Sequence, residues 1–173
     1  MKKKLLFLIM FCGVQLFNSC SNSKNRSNII TCDFDELKNW NISNEAISNK
    51  LSRSGKYSIF TGPERVYSLT YEAEVKDLLA KGYTKMTASI WIRCIGDPKE
   101  AQWVATVNSP TGANYIWKST FLSSAQETDD KGWKRIEVKL DLPMEVNDGI
   151  LKIYGWAPKQ EEASFDDFEL TFE

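Results

Sequence analysis

Met86-Thr87-Ala88-Ser89-Ile90-Trp91-Ile92-Arg93-Cys94 alternates at period two. Met86, Ala88, Ile90, Ile92 and Cys94 share one face, and Thr87, Ser89, Trp91 and Arg93 share the other. A helix would spread that apolar set around its axis, whereas an antiparallel strand with one buried face collects it. The same alternation recurs further along the chain. Lys134, Ile136, Val138 and Leu140 oppose Arg135, Glu137 and Lys139; only Lys134 breaks the apolar face. Leu151, Ile153 and Gly155 oppose Lys152, Tyr154 and Trp156, and Phe168, Leu170 and Phe172 oppose Asp167, Glu169 and Thr171. Further strands are expected at 28–34, 45–51, 56–61, 65–73, 101–108 and 115–122. Turn residues separate them, among them Ser54-Gly55, Gly62-Pro63, Gly96-Asp97-Pro98, Asp130-Lys131-Gly132 and Asn147-Asp148-Gly149. One short helix is expected over Glu74–Lys81, stopped by Gly82. Many short strands with a single helix imply an all-β, two-sheet antiparallel β-sandwich.

The N-terminus reads as an address. Lys2-Lys3-Lys4 precede an apolar run from Leu5 to Val14, extended by Leu16 and Phe17. That run is too short to span a bilayer comfortably and fits a signal peptide over residues 1–19. It ends in Leu16-Phe17-Asn18-Ser19-Cys20, which resembles the lipobox of bacterial lipoproteins in its looser, Bacteroidetes-like form. The resemblance implies acylation of Cys20, a lipid anchor in the bacterial outer membrane or at the cell surface, and a mature chain starting at Cys20. Residues 20–27 are polar and aperiodic, and read as a tether. Residues 28–173 form the domain. Cys32 and Cys94 each sit in an apolar period-two setting, compatible with a disulfide in an oxidising compartment or with two buried thiols.

Composition excludes several functions. The chain carries 22 basic and 23 acidic side chains, and losing Lys2, Lys3 and Lys4 takes the net charge from −1 to −4. That mild acidity argues against a nucleic-acid partner. There is no histidine, so Ser-His-Asp and Cys-His catalysis, H-E-x-x-H proteases and histidine-bound zinc are excluded. Acid pairs occur at Glu72/Glu74, Asp129/Asp130, Glu161/Glu162 and Asp166/Asp167, but none stands in a recognisable glycosidase motif, and no phosphate-cradling glycine loop occurs. The expectation is a protein that is not an enzyme.

Several pieces, in order, resemble the galactose-binding-like jelly roll used by many carbohydrate-binding modules. Phe34-Asp35 before Trp40 is similar to the opening of that family, and Leu51-Ser52-Arg53-Ser54-Gly55-Lys56-Tyr57-Ser58-Ile59 to its "S-G-K-Y-S" strand. Tyr83 to Arg93, Gly132-Trp133-Lys134 and the closing Phe165-Asp166-Asp167-Phe168-Glu169-Leu170 follow in the usual places. The resemblance implies a non-catalytic carbohydrate-binding lipoprotein of the bacterial cell envelope, with a glycan or polysaccharide as ligand. A structural or protein-interaction subunit of an envelope complex, with the same fold and no sugar site, stands as the alternative.

Two sites are expected. Asp166 shares the period-two register of Phe168, Leu170 and Phe172, which points it inward at a strand end, where an unpaired carboxylate is costly. A structural calcium ion would relieve that cost. The resemblance carries the metal role to Asp35 and Asp166, with backbone oxygens from about Lys56; Asp33 projects on the same face as Asp35. The opposite reading is that Asp166 caps backbone N–H groups and binds no metal. The ligand surface is expected where rings face away from the core: Tyr154 and Trp156 beside Lys152, and Trp91 with Arg93, extended by Trp117 beside Lys118. Sugar rings pack their C–H faces on aromatic planes, and cations reach hydroxyls or an acidic sugar. One patch results if the two strands share a sheet. The fallback is the sandwich edge around Trp40 and Tyr67.

Overall fold

The structure is a computed structural model and describes residues 28–37, 40, 46–98, 100–125 and 127–173. The signal segment 1–19, the lipidation candidate Cys20 and the tether to residue 27 lie outside the described residues. Eleven strands follow in chain order: β1 Ile29–Cys32, β2 Ile47–Ser48, β3 Ser58–Thr61, β4 Tyr71–Glu74, β5 Lys85–Cys94, β6 Gln102–Asn108, β7 Asn114–Phe121, β8 Glu127–Thr128, β9 Lys134–Asp141, β10 Ile150–Trp156 and β11 Ala163–Phe172. One helix, α1 Val75–Ala80, lies between β4 and β5. It ends as expected: Gly82 takes φ 83° and its N–H donates to Leu79 O at 2.9 Å.

The strands make the expected two-sheet antiparallel sandwich. A seven-stranded sheet runs β2-β3-β11-β5-β9-β8, with β1 also pairing β11, and a four-stranded sheet runs β4-β10-β6-β7. The alternating residues meet between them. Met86, Ala88, Ile90 and Ile92 from β5 and Ile136, Val138 and Leu140 from β9 are buried. From the other sheet come Leu151 and Ile153 of β10 and Trp103, Ala105 and Val107 of β6. Trp103 is fully buried, and its indole N–H donates across the core to Ala88 O at 3.2 Å. That hydrogen bond lets a polar ring sit in a dry interior. Gly155 leaves room for a neighbour: a Cβ there would collide with the Phe165 ring, which is itself completely buried.

Two expectations change, and the choice left open for the two cysteines is decided. Residues 65–73 are not one strand: only Tyr71–Glu74 joins the ladder, while Tyr67 bridges Trp156 and Ser68 donates to Gly155 O at 2.9 Å. The segment follows β10 in broken register. Cys32 and Cys94 are free thiols, because Cys32 pairs with Phe168 and Cys94 with Ala163, five positions apart along β11. That is roughly 16 Å of strand, beyond disulfide reach. The other change concerns β11. Ala163 and Phe165 face inward, then a bulge between Asp166 and Glu169 shifts the register, and Phe168, Leu170 and Phe172 face inward after it. Asp166 therefore does not share their face. It pairs with the outward-facing Trp91 and is buried from the outer side, beneath the hairpin at residues 53–54.

Replacing Gly155 by Ala should lower stability by about 1–3 kcal/mol, since the Phe165 ring has nowhere to go in a filled core. Urea unfolding of the two proteins measures it, and an unchanged midpoint would contradict the packing described.

Candidate functional site

The outer face of the four-stranded sheet carries the rings. Alternation that buries Leu151, Ile153 and Gly155 turns Lys152, Tyr154 and Trp156 outward. The strand register then places them in rows across the sheet. Glu72, Lys152, Thr106 and Trp117 form one row; Tyr154, Val104 and Ser119 form the next; Tyr67, Trp156, Gln102 and Phe121 form the third. The rings touch. Tyr67 and Trp156 lie with centroids 6.4 Å apart and planes 10° from parallel. Trp117 meets Trp156 edge-on at 5.7 Å and Tyr154 at 6.5 Å, and Tyr154 meets Tyr67 at 5.7 Å.

The floor under these rings is the outer face of β6. Val104 and Thr106 point outward by register yet are 0% and 1% exposed. Small side chains there let the larger ones from β7 and β10 lean inward over them. Thr106 is not stranded by this burial, because its hydroxyl donates to Asn108 Oδ1 at 2.7 Å. Burial raises the Tyr154 phenol above its ordinary pKa; the neighbouring Tyr67 adds to the shift and a hydrogen bond with Thr106 opposes it. The upper surface stays open: Tyr67 is 51%, Trp117 41% and Phe121 48% exposed. Tyr115 extends the edge, its hydroxyl donating to Asp148 Oδ2 at 3.1 Å. Rings in mutual contact on one sheet face differ from singly scattered exposed side chains and make this face the candidate ligand surface.

Trp117, Tyr154 and Trp156 are thus brought together as expected. Trp91 and Arg93 are not. They face outward on β5, but β5 belongs to the seven-stranded sheet and β10 to the other, so the two outer faces look in opposite directions. Trp91 is also occupied, with the Arg53 guanidinium 3.7 Å above its ring. Trp40, at the fallback edge, is a core ring packed against Phe34, Tyr71 and Phe168. Tyr67, its companion there, is the ring that completes the platform. Tyr115 and Phe121 fall in an expected strand, 115–122, without being singled out there; Tyr67 was named only at the fallback edge, because its segment has no period to assign it a face.

The carboxylates expected to hold calcium are held differently. Asp166 Oδ2 accepts the Arg53 N–H at 2.6 Å and the Ser54 N–H at 3.3 Å, and its Oδ1 accepts the Asp167 N–H at 2.8 Å. Burial pushes its pKa up to about 6, against the pull of those amide hydrogen bonds. Asp35 accepts the N–H groups of Lys56 and Tyr57, each at 2.8 Å, so Lys56 presents an amide donor here. Asp33 is exposed and accepts the Asp35 N–H at 3.1 Å. A calcium site needs six to eight oxygens aimed at one point. Among the described residues no group of three or more Asp, Glu or Cys side chains gathers in that way, and three amide hydrogen bonds reach each of Asp35 and Asp166. These carboxylate side chains alone do not make up a calcium ion's oxygen set.

A side-chain cation stands in the same region instead. Arg53 donates to Asp167 Oδ2 at 2.6 Å and to Asp129 Oδ2 at 3.0 Å while lying over Trp91. Ser54 adds a hydroxyl bond to Asp167 Oδ1 at 2.5 Å. A planar guanidinium can serve two carboxylates and an aromatic face together, which a lysine cannot.

Neither a family model nor a curated protein matches the sequence. Among solved structures the chain is similar to the CBM22-1 xylan-binding domain from Paenibacillus barcinonensis Xyn10C, at 12% identity over 73% of this chain and 78% of that one, with a TM-score of 0.48. It is also similar to TmCBM61 in complex with β-1,4-galactotriose, at 14% identity over 86% of this chain and 85% of that one, with a TM-score of 0.38. The reading of the rings rests on their own geometry.

Thermal melts should coincide in excess calcium and in chelator, and Arg53→Met should lower the midpoint by about 5 °C in both. A calcium-dependent rise in the unsubstituted protein would restore the metal at Asp35 and Asp166.

Proposed function

We propose that the protein is a non-catalytic glycan-binding lipoprotein of the bacterial cell envelope. The observation that carries the binding half is the contact cluster of Tyr67, Tyr154, Trp156 and Trp117 on one open sheet face. A pyranose has an apolar C–H face that packs on such planes, and its hydroxyls need neutral donors and acceptors at the border. Gln102 and Asn108, partly exposed on the same face of β6, supply them. Tyr67 and Trp156 lie 10° from parallel, and Trp117 stands across Trp156 at 84°, so one pair of planes meets a wall against which a sugar ring can lodge. Such a surface holds a ligand without acting on it, in keeping with a chain that lacks histidine.

The envelope half rests on the lysine start, the short apolar run and the Ser19-Cys20 junction. It places the domain outside the cytoplasm on a polar leash of eight residues, 20–27, where a polysaccharide is within reach.

Two measurements test the two halves. On a glycan array or affinity gel, Trp156→Ala should weaken binding about tenfold or more, roughly 1.4 kcal/mol, and Trp117→Ala should weaken it as well. Trp91→Ala, on the opposite face, should bind as the parent does. If folded Trp156 and Trp117 variants bind unchanged, the ligand is not on this platform. In cells fed a fatty-acid analogue, the protein should carry the label and Cys20→Ala should lose it; a labelled Cys20→Ala protein removes the anchor.

A further inference from the structure

We infer that the platform takes uncharged glycans and that Glu72 is the residue that keeps acidic ones off it. The inference rests on the glycan reading above and names the ligand class for that surface.

Lys152 is a cation on the ring face, two residues before Tyr154 on β10 and in the row that ends at Trp117. Taken alone, it would attract the carboxylate of a uronic acid. The strand register sets Glu72 directly beside it, and Lys152 Nζ lies 3.0 Å from Glu72 Oε1. Both side chains are about one-third exposed, at 36% and 35%, so the pair stands at the border of the ligand surface and is not buried beneath it. An exposed pair of this kind adds little to stability. Its consequence is electrostatic: beyond a few ångströms the two charges cancel, and a carboxylate that reaches the ammonium meets Glu72 as a like charge.

The other polar groups on these rows point the same way. Gln102, Thr106 and Ser119 carry no charge, and Asn108, which donates to Asn114 Oδ1 at 2.8 Å, adds a neutral amide pair. Glu74, one step beyond Glu72 on the same face, is closed by Lys76 at 2.5 Å. Arg93, the other cation expected to edge the platform, lies on the far sheet. Among the described residues the ring face therefore offers apolar planes, amides and hydroxyls, the ion pairs Lys152–Glu72 and Lys76–Glu74, and the Asp148 carboxylate at its Tyr115 edge. That chemistry suits neutral hexose or pentose chains and gives a polyuronate no compensation for desolvating its carboxylates.

Glu72→Gln tests this directly, since it keeps the side-chain length and an acceptor while leaving the Lys152 charge unopposed. Affinity electrophoresis against a panel of neutral polysaccharides and against polygalacturonate, at low and high salt, gives the ratio of acidic to neutral binding. The parent protein is expected to bind a neutral member at least tenfold more tightly than polygalacturonate. In Glu72→Gln that ratio should move toward the acidic chain by about threefold at low ionic strength, and the gain should vanish in high salt. Glu72→Gln with Lys152→Met should show no gain. Parent protein that holds polygalacturonate as tightly as a neutral chain, or a Glu72→Gln ratio that does not move, overturns the inference while leaving the platform standing. Failure of the parent to bind any member overturns the platform reading and this one with it.

Discussion

Strand β11 has to satisfy three neighbours at once. Its first half pairs with β3 on one side, its second half with β1 on that same side, and β5 runs along the other. One straight strand cannot present both inward-facing sets, Ala163 with Phe165 and Phe168 with Leu170 and Phe172, because they differ in parity. The bulge resolves the conflict, with Asp167 taking φ 49°. The outward carboxylates it creates then need partners, and Arg53, Ser54 and their backbone amides fill that need. The hairpin that carries those groups is thereby clamped onto the outer face of the seven-stranded sheet, over Trp91.

That clamp seats a guanidinium on one face of Trp91, beside a cavity of about 910 Å³ lined by Ser89, Trp91, Arg135, Asp167 and Glu169. On the seven-stranded side, the outward ring is covered by a guanidinium and its acids are hydrogen-bonded. On the four-stranded side no segment among the described residues plays that part for the ring rows, and the aromatic side chains cover each other instead. Their mutual contact removes some apolar area from water, and the small residues of β6 let them lie low over the sheet. Tyr67, Trp117 and Phe121 stay exposed, leaving apolar surface that a sugar's C–H face can use. The same sheet supplies the charge pattern, because strand register alone sets Glu72 beside Lys152.

Much of this was legible in the chain. The alternation in 86–94, 134–140 and 151–156 marked strands and their buried faces correctly, because period two is a local property of the backbone and needs no partner to be read. The outward direction of Trp91, Tyr154 and Trp156 followed from it. The assignment of Asp166 to the interior failed for the same reason: a period says nothing about a bulge, and one inserted residue reverses every face beyond it. Tyr67 could be named only at a fallback edge, apart from Trp156, because its segment only bridges β10 and never settles into a ladder.

The sequence by itself determined the fold class, the inward and outward sides of the long strands, and the exclusion of histidine chemistry, all of which depend on residue type and local spacing. Only the tertiary structure decided which outward rings meet. Trp91 and Trp156 look alike in the sequence, each outward on an alternating strand, yet one sits under Arg53 and the other among Tyr67, Tyr154 and Trp117. Sheet membership separates them, and that is fixed by long-range hydrogen bonding between strands dozens of residues apart, which no local pattern encodes.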